Sequence, residues 1–222
     1  MMYALSQRQW PAVLATALFG YTAGTFVTRQ TLLRQVAIAR ASAEQDPLTG
    51  LPNRRGLLTE VRARLTAHTP TVLALIDLDD FKTVNDTYGH TAGDDLLTVV
   101  GARLRTAVAS HGYAARLAGD EFVLLLSDGG GDPAAIVGAV LSVLAEPVEL
   151  ALATLRPQAS AGVVTTGNGS VTWRNLITRA DHALYQAKAN GKNIAIYHHG
   201  SNEIPRSAPQ RRRNRLKQPA PQ

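Results

Sequence analysis

The chain has no cysteine. That excludes a disulfide framework and any metal centre built on thiolates, and it fits a reducing compartment. Net charge is also small once one segment is set aside. The net charge is +6, and residues 200–222 supply +5 of it through Arg206, Arg211, Arg212, Arg213, Arg215 and Lys217, opposed by Glu203. The remaining chain is close to neutral, so no basic groove for nucleic acid is supported. There is no internal repeat. The glycine run at 129–131 lacks the Lys-Ser/Thr that a P-loop needs and reads as a plain loop. His198 and His199 have no further ligands in view and do not suggest a metal site.

What is present is a globular composition, 45% hydrophobic and 18% charged over 222 residues. That is enough for one domain of about 150 residues with extensions. Trp10–Thr28 is an uncharged 19-residue stretch, long enough for a membrane span. Arg8 precedes it, and Arg29, Arg34 and Arg40 follow it, which orients the C-terminal side to the cytoplasm. Residues 1–28 are therefore expected to be a membrane anchor, with a soluble packed helix or a signal peptide as alternatives. A cytoplasmic chain is the alternative localisation. Residues 29–45 read as a helical connector. Leu32, Leu33 and Val36 follow a spacing suited to pairing two chains. The domain spans 46–198. Residues 199–222, rich in Pro, Gln and Arg, read as a disordered tail; its charge favours an anionic membrane surface.

Within the domain, "DPLTGLPNRRG" is turn chemistry. Asn53 caps a helix to about His68. Thr71–Phe81 is an apolar run and reads as a buried central strand. A helix is expected from about Ala92 to Ser110. Two strands, 112–117 and 121–127, are joined by a tight turn at Ala118–Asp120. A helix follows with Ile136, Val140 and Leu144 on one face, then strands near 148–155 and 157–164. The last helix runs from about Thr172 to Asn190, stopped by Gly191, and "KNIAIYH" is a final strand. The embedded order β-α-β-β-α-β gives an α/β fold, in the α+β sense, with a central, mostly antiparallel sheet flanked by helices.

The chemistry concentrates in carboxylates. Asp77 and Asp79 lie two apart at the end of a buried strand, on one face. Dry and unpaired, they would be costly there. The hairpin tip Gly119–Asp120–Glu121 is expected beside them, with Asp77 and Asp120 facing across neighbouring strands. Converging carboxylates make a hard, oxygen-only site suited to Mg²⁺, which completes its shell with phosphate oxygens. Lys82 offers a point charge to phosphate. Asn85 and Asp94 suit the donor edge of guanine. The helix start near Ala92 offers free N–H groups. Each feature also has a plain reading. Acids such as Asp94 are favoured in any first helical turn, and Lys188 and Lys192 suit a helix C-terminus. Asn85–Asp86 alone is turn chemistry.

Taken together, "DPLTGLPNRRG", "DLDDFKTVNDTYGHTAGDDLL", "RLAGDEF", "SAGV" and "ADHALYQAKANGKN" resemble the GGDEF family of diguanylate cyclases over about Asp46–Tyr197. The resemblance implies a fold similar to polymerase palm and adenylate cyclase catalytic domains. It implies condensation of two GTP molecules into cyclic di-GMP and two pyrophosphates, across a homodimer with one GTP per domain. Asp77, Asp120 and Glu121, with the Leu78 carbonyl, would bind Mg²⁺, with Mn²⁺ as a substitute. Asp120, Glu121 and Lys82 form the expected catalytic set, Glu121 by assisting deprotonation of the attacking hydroxyl. Phe81, Lys82, Asn85, Asp94, Lys188 and Lys192 form the expected GTP contacts. A catalytically silent domain that senses GTP or serves as an interaction module is the competing reading. The chain departs from the family pattern in three ways. Ala118 replaces the first signature glycine, which is harmless at negative φ and strained at positive φ. Lys192 stands in place of an arginine, with loss of bidentate geometry. Ala109 and Gly112 occupy the Arg and Asp positions of the family's inhibitory product site, so none is expected.

Overall fold

A computed structural model describes residues 29–32, 34–35, 42–109, 112–127, 132–166, 172–192 and 195–197. The expected anchor at 1–28, the glycine run, His198, His199 and the basic tail lie outside the described residues. The chain divides into two units, Met1–Ala43 and Glu44–Gln222. In the first, residues 29–32 and 34–35 are helical and Leu32 is exposed. Among the described residues, no helix is long and apolar enough to cross a membrane.

The second unit is organised around β1, Thr71–Leu78, all of whose residues are buried. The strand ends at Leu78, short of the Phe81 expected from the apolar run, because a turn at Asp79–Asp80 follows it. Alternate side chains of β1 serve two different cores. Val72, Ala74 and Ile76 pack with Leu96 and Val100 of α2 (Phe81–Val108) and Leu141 of α3 (Pro133–Leu144). Leu73 and Leu75 pack with Leu57 and Val61 of α1 (Arg54–Thr66) and Leu176 of α4 (Trp173–Ala189). A strand covered on both faces has no need of polar alternation, hence its continuous apolar run.

The main sheet also contains β2 (Gly112–Ala118), β3 (Glu121–Ser127), β6 (Ala159–Thr165) and β7 (Ala195–Tyr197), in the spatial order β2-β3-β1-β6-β7. The first four run antiparallel to their neighbours, and β7 pairs parallel to β6. This is the expected mostly antiparallel sheet. The segment expected as one strand over 148–155 is instead a small hairpin of its own, β4 (Val148–Glu149) and β5 (Thr154–Leu155). Leu150 N–H donates to Ala153 O (2.9 Å) and turns the chain back before a longer strand can form.

Capping follows the sequence signals. Asn53 accepts from the N–H groups of Arg55 and Gly56 at the start of α1. Thr172 accepts from Asn175 N–H at the start of α4, and Gly191 follows its end with φ 114°. The largest departure is α2. It is two helical segments merged across a break at Gly89 (φ 85°, ψ 162°), the second matching the helix expected from about Ala92 and the first, from Phe81, an addition to it. Turn signals in "NDTYGH" hid a helical segment before the break. Asp94 therefore lies past the first turn of the second segment, so the helix-start explanation for its charge is weakened.

Candidate active site

Three strands meet in register at the acidic end of the sheet. Asp77 pairs with Glu121 of β3 on one side and with Ser160 of β6 on the other. Paired residues share a face, so the row Glu121–Asp77–Ser160 lies on the α1/α4 side. Asp77 and Glu121 are buried, 4% and 6% exposed. The residue opposite Asp77 is thus Glu121, and the expected pairing of Asp77 with Asp120 is corrected. The hairpin loop is only two residues long, Gly119 and Asp120. Asp120 therefore sits in the turn, where its carbonyl accepts from Leu78 N–H (3.2 Å).

The signature turn is unstrained at its altered position. The left-handed residue is Gly119 (φ 54°), while Ala118 is not among the positive-φ residues. Glycine at the first central position is what a tight II′ hairpin requires. Ala118 is exposed at the end of β2.

A cation reaches the acid row from α4. Lys188, in the last turn of that helix, donates through Nζ to Asp77 Oδ1 and lies 3.8 Å from Asp79 Oδ1. Asp79 accepts from Ser160 Oγ at both oxygens (3.1 and 2.9 Å). The position of α4 depends on Gly162 of β6. A Cβ there would stand 1.9 Å from Ala180 O and 2.3 Å from Leu184 N. Only a missing side chain lets the helix backbone lie this close to the sheet.

The break at Gly89 folds the first segment of α2 back on the second. Asn85 Oδ1 occupies the space where a Cβ on Gly93 would be, 1.9 Å from that point, with Phe81 Cζ 3.2 Å away. The carboxamide of Asn85 is thereby held against the residue preceding Asp94. Phe81 is partly buried against the α2/α3 core.

The other expected phosphate contacts are paired with acids outside the row. Lys82 is exposed and paired with Asp86 (2.5 Å). Lys192 donates to both oxygens of Asp80 (2.7 and 2.8 Å), the residue before α2. That hydrogen bond raises the Lys192 ammonium above its ordinary pKa. Both partners have left-handed backbones, φ 64° at Lys192 and φ 55° at Asp80. A cavity of about 230 Å³ opens nearby, lined by Phe81, Val84, Arg156 and Pro157 among others.

Sequence reasoning missed Ser160 and the partners of Asp79 and Asp80. It also missed the brace on the hairpin tip. Arg116 Nε donates to Gly119 O and its Nη1 donates to Asp46 Oδ1, both at 2.9 Å. The only signal was that Asp46, Arg116 and Ser160 all fall within the quoted motifs.

Among the described residues, no group of three His, Cys, Asp or Glu side chains is arranged to hold a metal ion. The donor set at the row's end is oxygen-only, with two buried carboxylates on adjacent strands. It fits a hard cation that takes one or two carboxylates and fills its shell from phosphate.

Comparison with known proteins agrees with this architecture. Residues 43–194 match the family described as "Diguanylate cyclase, GGDEF domain". The chain is 33% identical over 193 residues to the bifunctional diguanylate cyclase/cyclic di-GMP phosphodiesterase MucR of Pseudomonas aeruginosa, covering 82% of this chain and 28% of MucR. It is 36% identical to the diguanylate cyclase DgcP of the same organism, covering 69% of this chain and 24% of DgcP. The chain thus spans under a third of the length of these relatives. Among solved structures, the coiled coil and GGDEF domain of DgcB from Caulobacter crescentus, in complex with c-di-GMP, superposes with a TM-score of 0.68 at 25% identity, covering 82% of this chain and all of that one. Diguanylate cyclase SiaD of Pseudomonas aeruginosa, in complex with its activator SiaC, superposes at 0.67 with 29% identity, covering 86% of this chain and 78% of that one. The match across 43–194 places this chain in the GGDEF family of diguanylate cyclase domains, and the superpositions agree with its fold.

Proposed function

We propose that the chain is a diguanylate cyclase that joins two GTP molecules into cyclic di-GMP. The observation that supports this most is the buried Glu121–Asp77 pair with Lys188 against it. Two carboxylates brought side by side at a buried strand end make an oxygen-only set that suits a divalent cation carrying a triphosphate. Asp77, Asp120, Glu121 and the Leu78 carbonyl would hold that cation, Mg²⁺ or Mn²⁺. When bound, it would polarise the phosphoryl oxygens and ease deprotonation of the attacking hydroxyl.

The chain's own residues then divide the work. Asn85 and Asp94 accept from the guanine edge, and Phe81 packs beside Asn85. Lys188 and Lys192 move from Asp77 and Asp80 to the triphosphate, and Lys82 leaves Asp86 for a phosphate oxygen. Glu121 takes the proton of the 3′-hydroxyl, which attacks the α-phosphorus of the GTP on the other subunit. A new phosphodiester bond forms, the α–β bond breaks, and pyrophosphate leaves with the bonding electrons. The second half-reaction is the same with the roles exchanged. One domain presents one nucleotide, so the reaction needs a homodimer, for which residues 29–45 supply the pairing helix. Residues 1–28 anchor the dimer to a membrane with the domain in the cytoplasm. Ala109 and Gly112 leave no inhibitory product site.

The test is to incubate the full chain with GTP and Mg²⁺ and measure cyclic di-GMP and pyrophosphate. Product from wild type and none from Asp120→Ala is expected. GTP binding with no product from a dimeric chain would overturn the enzyme reading in favour of a GTP sensor.

A further inference from the structure

Lys188 sits between two buried carboxylates. It donates to Asp77 and lies 3.8 Å from Asp79 Oδ1; the side chains of Asp77 and Asp79 are 6% and 2% exposed, that of Lys188 31%. Asp79 is fixed from two directions. Ser160 Oγ donates to its carboxylate, and its own N–H donates to Gln158 O at 2.8 Å. Lys188 is the flexible member, a long side chain at the open end of α4.

Resting on the reading of Asp77 as a metal ligand, we propose that Asp79 is a positioning residue that acts through Lys188. An ammonium and a divalent cation cannot share the Asp77 carboxylate at close range, because like charges a few ångströms apart repel strongly in a poorly solvated site. With no second anion, Lys188 would either stay and exclude the cation or swing out into water. Asp79 provides a third position. A shift of about 1 Å brings Nζ within charge-assisted hydrogen-bond range of Asp79, releases Asp77, and keeps the ammonium beside the phosphate end of the site. Ser160 aims Asp79 for this exchange, which gives a function to the serine that completes the row Glu121–Asp77–Ser160.

A double-mutant cycle on Mn²⁺ binding tests it. Free Mn²⁺ is titrated by electron paramagnetic resonance against the full chain without nucleotide, for wild type, Asp79→Asn, Lys188→Met and the double variant. Asp79→Asn is expected to weaken Mn²⁺ binding about fivefold or more, because Lys188 then stays on Asp77. In the Lys188→Met background, the same change is expected to alter binding less than about twofold. Ser160→Ala, which keeps the charge and loosens its aim, should give an intermediate loss; it carries the test if Asp79→Asn fails to fold in a thermal melt. Equal weakening in both backgrounds would make Asp79 a direct ligand and overturn the proposal. So would no weakening in either, or a wild-type chain that binds no Mn²⁺. Because nucleotide is absent, failure to make cyclic di-GMP would overturn the cyclase reading and still leave this cycle readable.

Discussion

Arg116 joins the first motif of the domain to the signature turn. Its Nη1 donates to Asp46 Oδ1, 70 residues earlier, at 2.9 Å, and its Nε donates to Gly119 O at 2.9 Å. Asp46 also accepts from the backbone N–H and hydroxyl of Thr49. The chain that enters the domain is therefore fastened to the loop that carries Asp120. Arg116→Ala is expected to cost about 1.5–3 kcal/mol, the range for hydrogen bonds to charged groups, read by urea unfolding. Arg116→Lys keeps the charge and loses the two-headed geometry. It should restore part of the stability and leave cyclic di-GMP synthesis below wild type.

The same brace gives a pH dependence. Burial pushes the Asp46 carboxyl up, but the Thr49 N–H, Arg116 and the Thr49 hydroxyl together pull it below its ordinary value. A carboxyl depressed in the folded state contributes stability above its unfolded pKa, about 3.9. That contribution is lost as pH falls through the folded value. The stability gap between wild type and Asp46→Asn should be constant near neutral pH and shrink below about pH 4. A gap that widens in acid would contradict this.

Gly93→Ala should separate binding from folding. Its methyl would meet Asn85 Oδ1, the end of a flexible side chain, 1.9 Å from the Cβ position. The carboxamide can swing away at small cost to stability, and the contact proposed for it with guanine goes with it. KM for GTP is expected to rise about tenfold, on the scale of one lost hydrogen bond to a ligand, with the melting temperature nearly unchanged. A large drop in melting temperature with an unchanged KM would show that the space is needed for packing alone.

Gly162→Ala should do the reverse. Its methyl meets the helix backbone at Ala180 O and Leu184 N, which cannot rotate aside. A loss of about 3 kcal/mol or more is expected, as for overpacking a tight core, with activity falling because α4 carries Lys188. Thermal unfolding of the variant reads it directly.

Ala118→Gly should leave the rate of cyclic di-GMP synthesis within about twofold of wild type. Ala118 has no positive φ, so no strain is there to relieve. A glycine at a strand end should instead lower stability by about 0.5–1 kcal/mol. A large gain in rate would mean that the methyl obstructs substrate.

Much of the fold was legible because local chemistry announces it. Asn53, Thr172 and Gly191 mark helix ends through capping groups that work without tertiary help. The continuous apolar run at 71–78 identifies the central strand because only a strand covered on both faces tolerates it. The exceptions have local causes too. The segment Phe81–Tyr88 is helical although "NDTYGH" signals a turn, because packing against Gly93 and the α2/α3 core overrides propensity.

The sequence alone determined the acidic inventory and the family resemblance; that the signature turn is unstrained at Ala118 came from the backbone angles. Which carboxylate faces Asp77, which serine holds Asp79 and which lysine reaches them were decided only by the tertiary structure. Asp77 and Glu121 lie 44 residues apart on strands that no hairpin joins, so their register is set by how β1 and β3 dock, and a one-residue slip moves every side chain to the other face. The approach of Lys188 depends on a glycine, Gly162, whose missing side chain has meaning only once a helix lies across it.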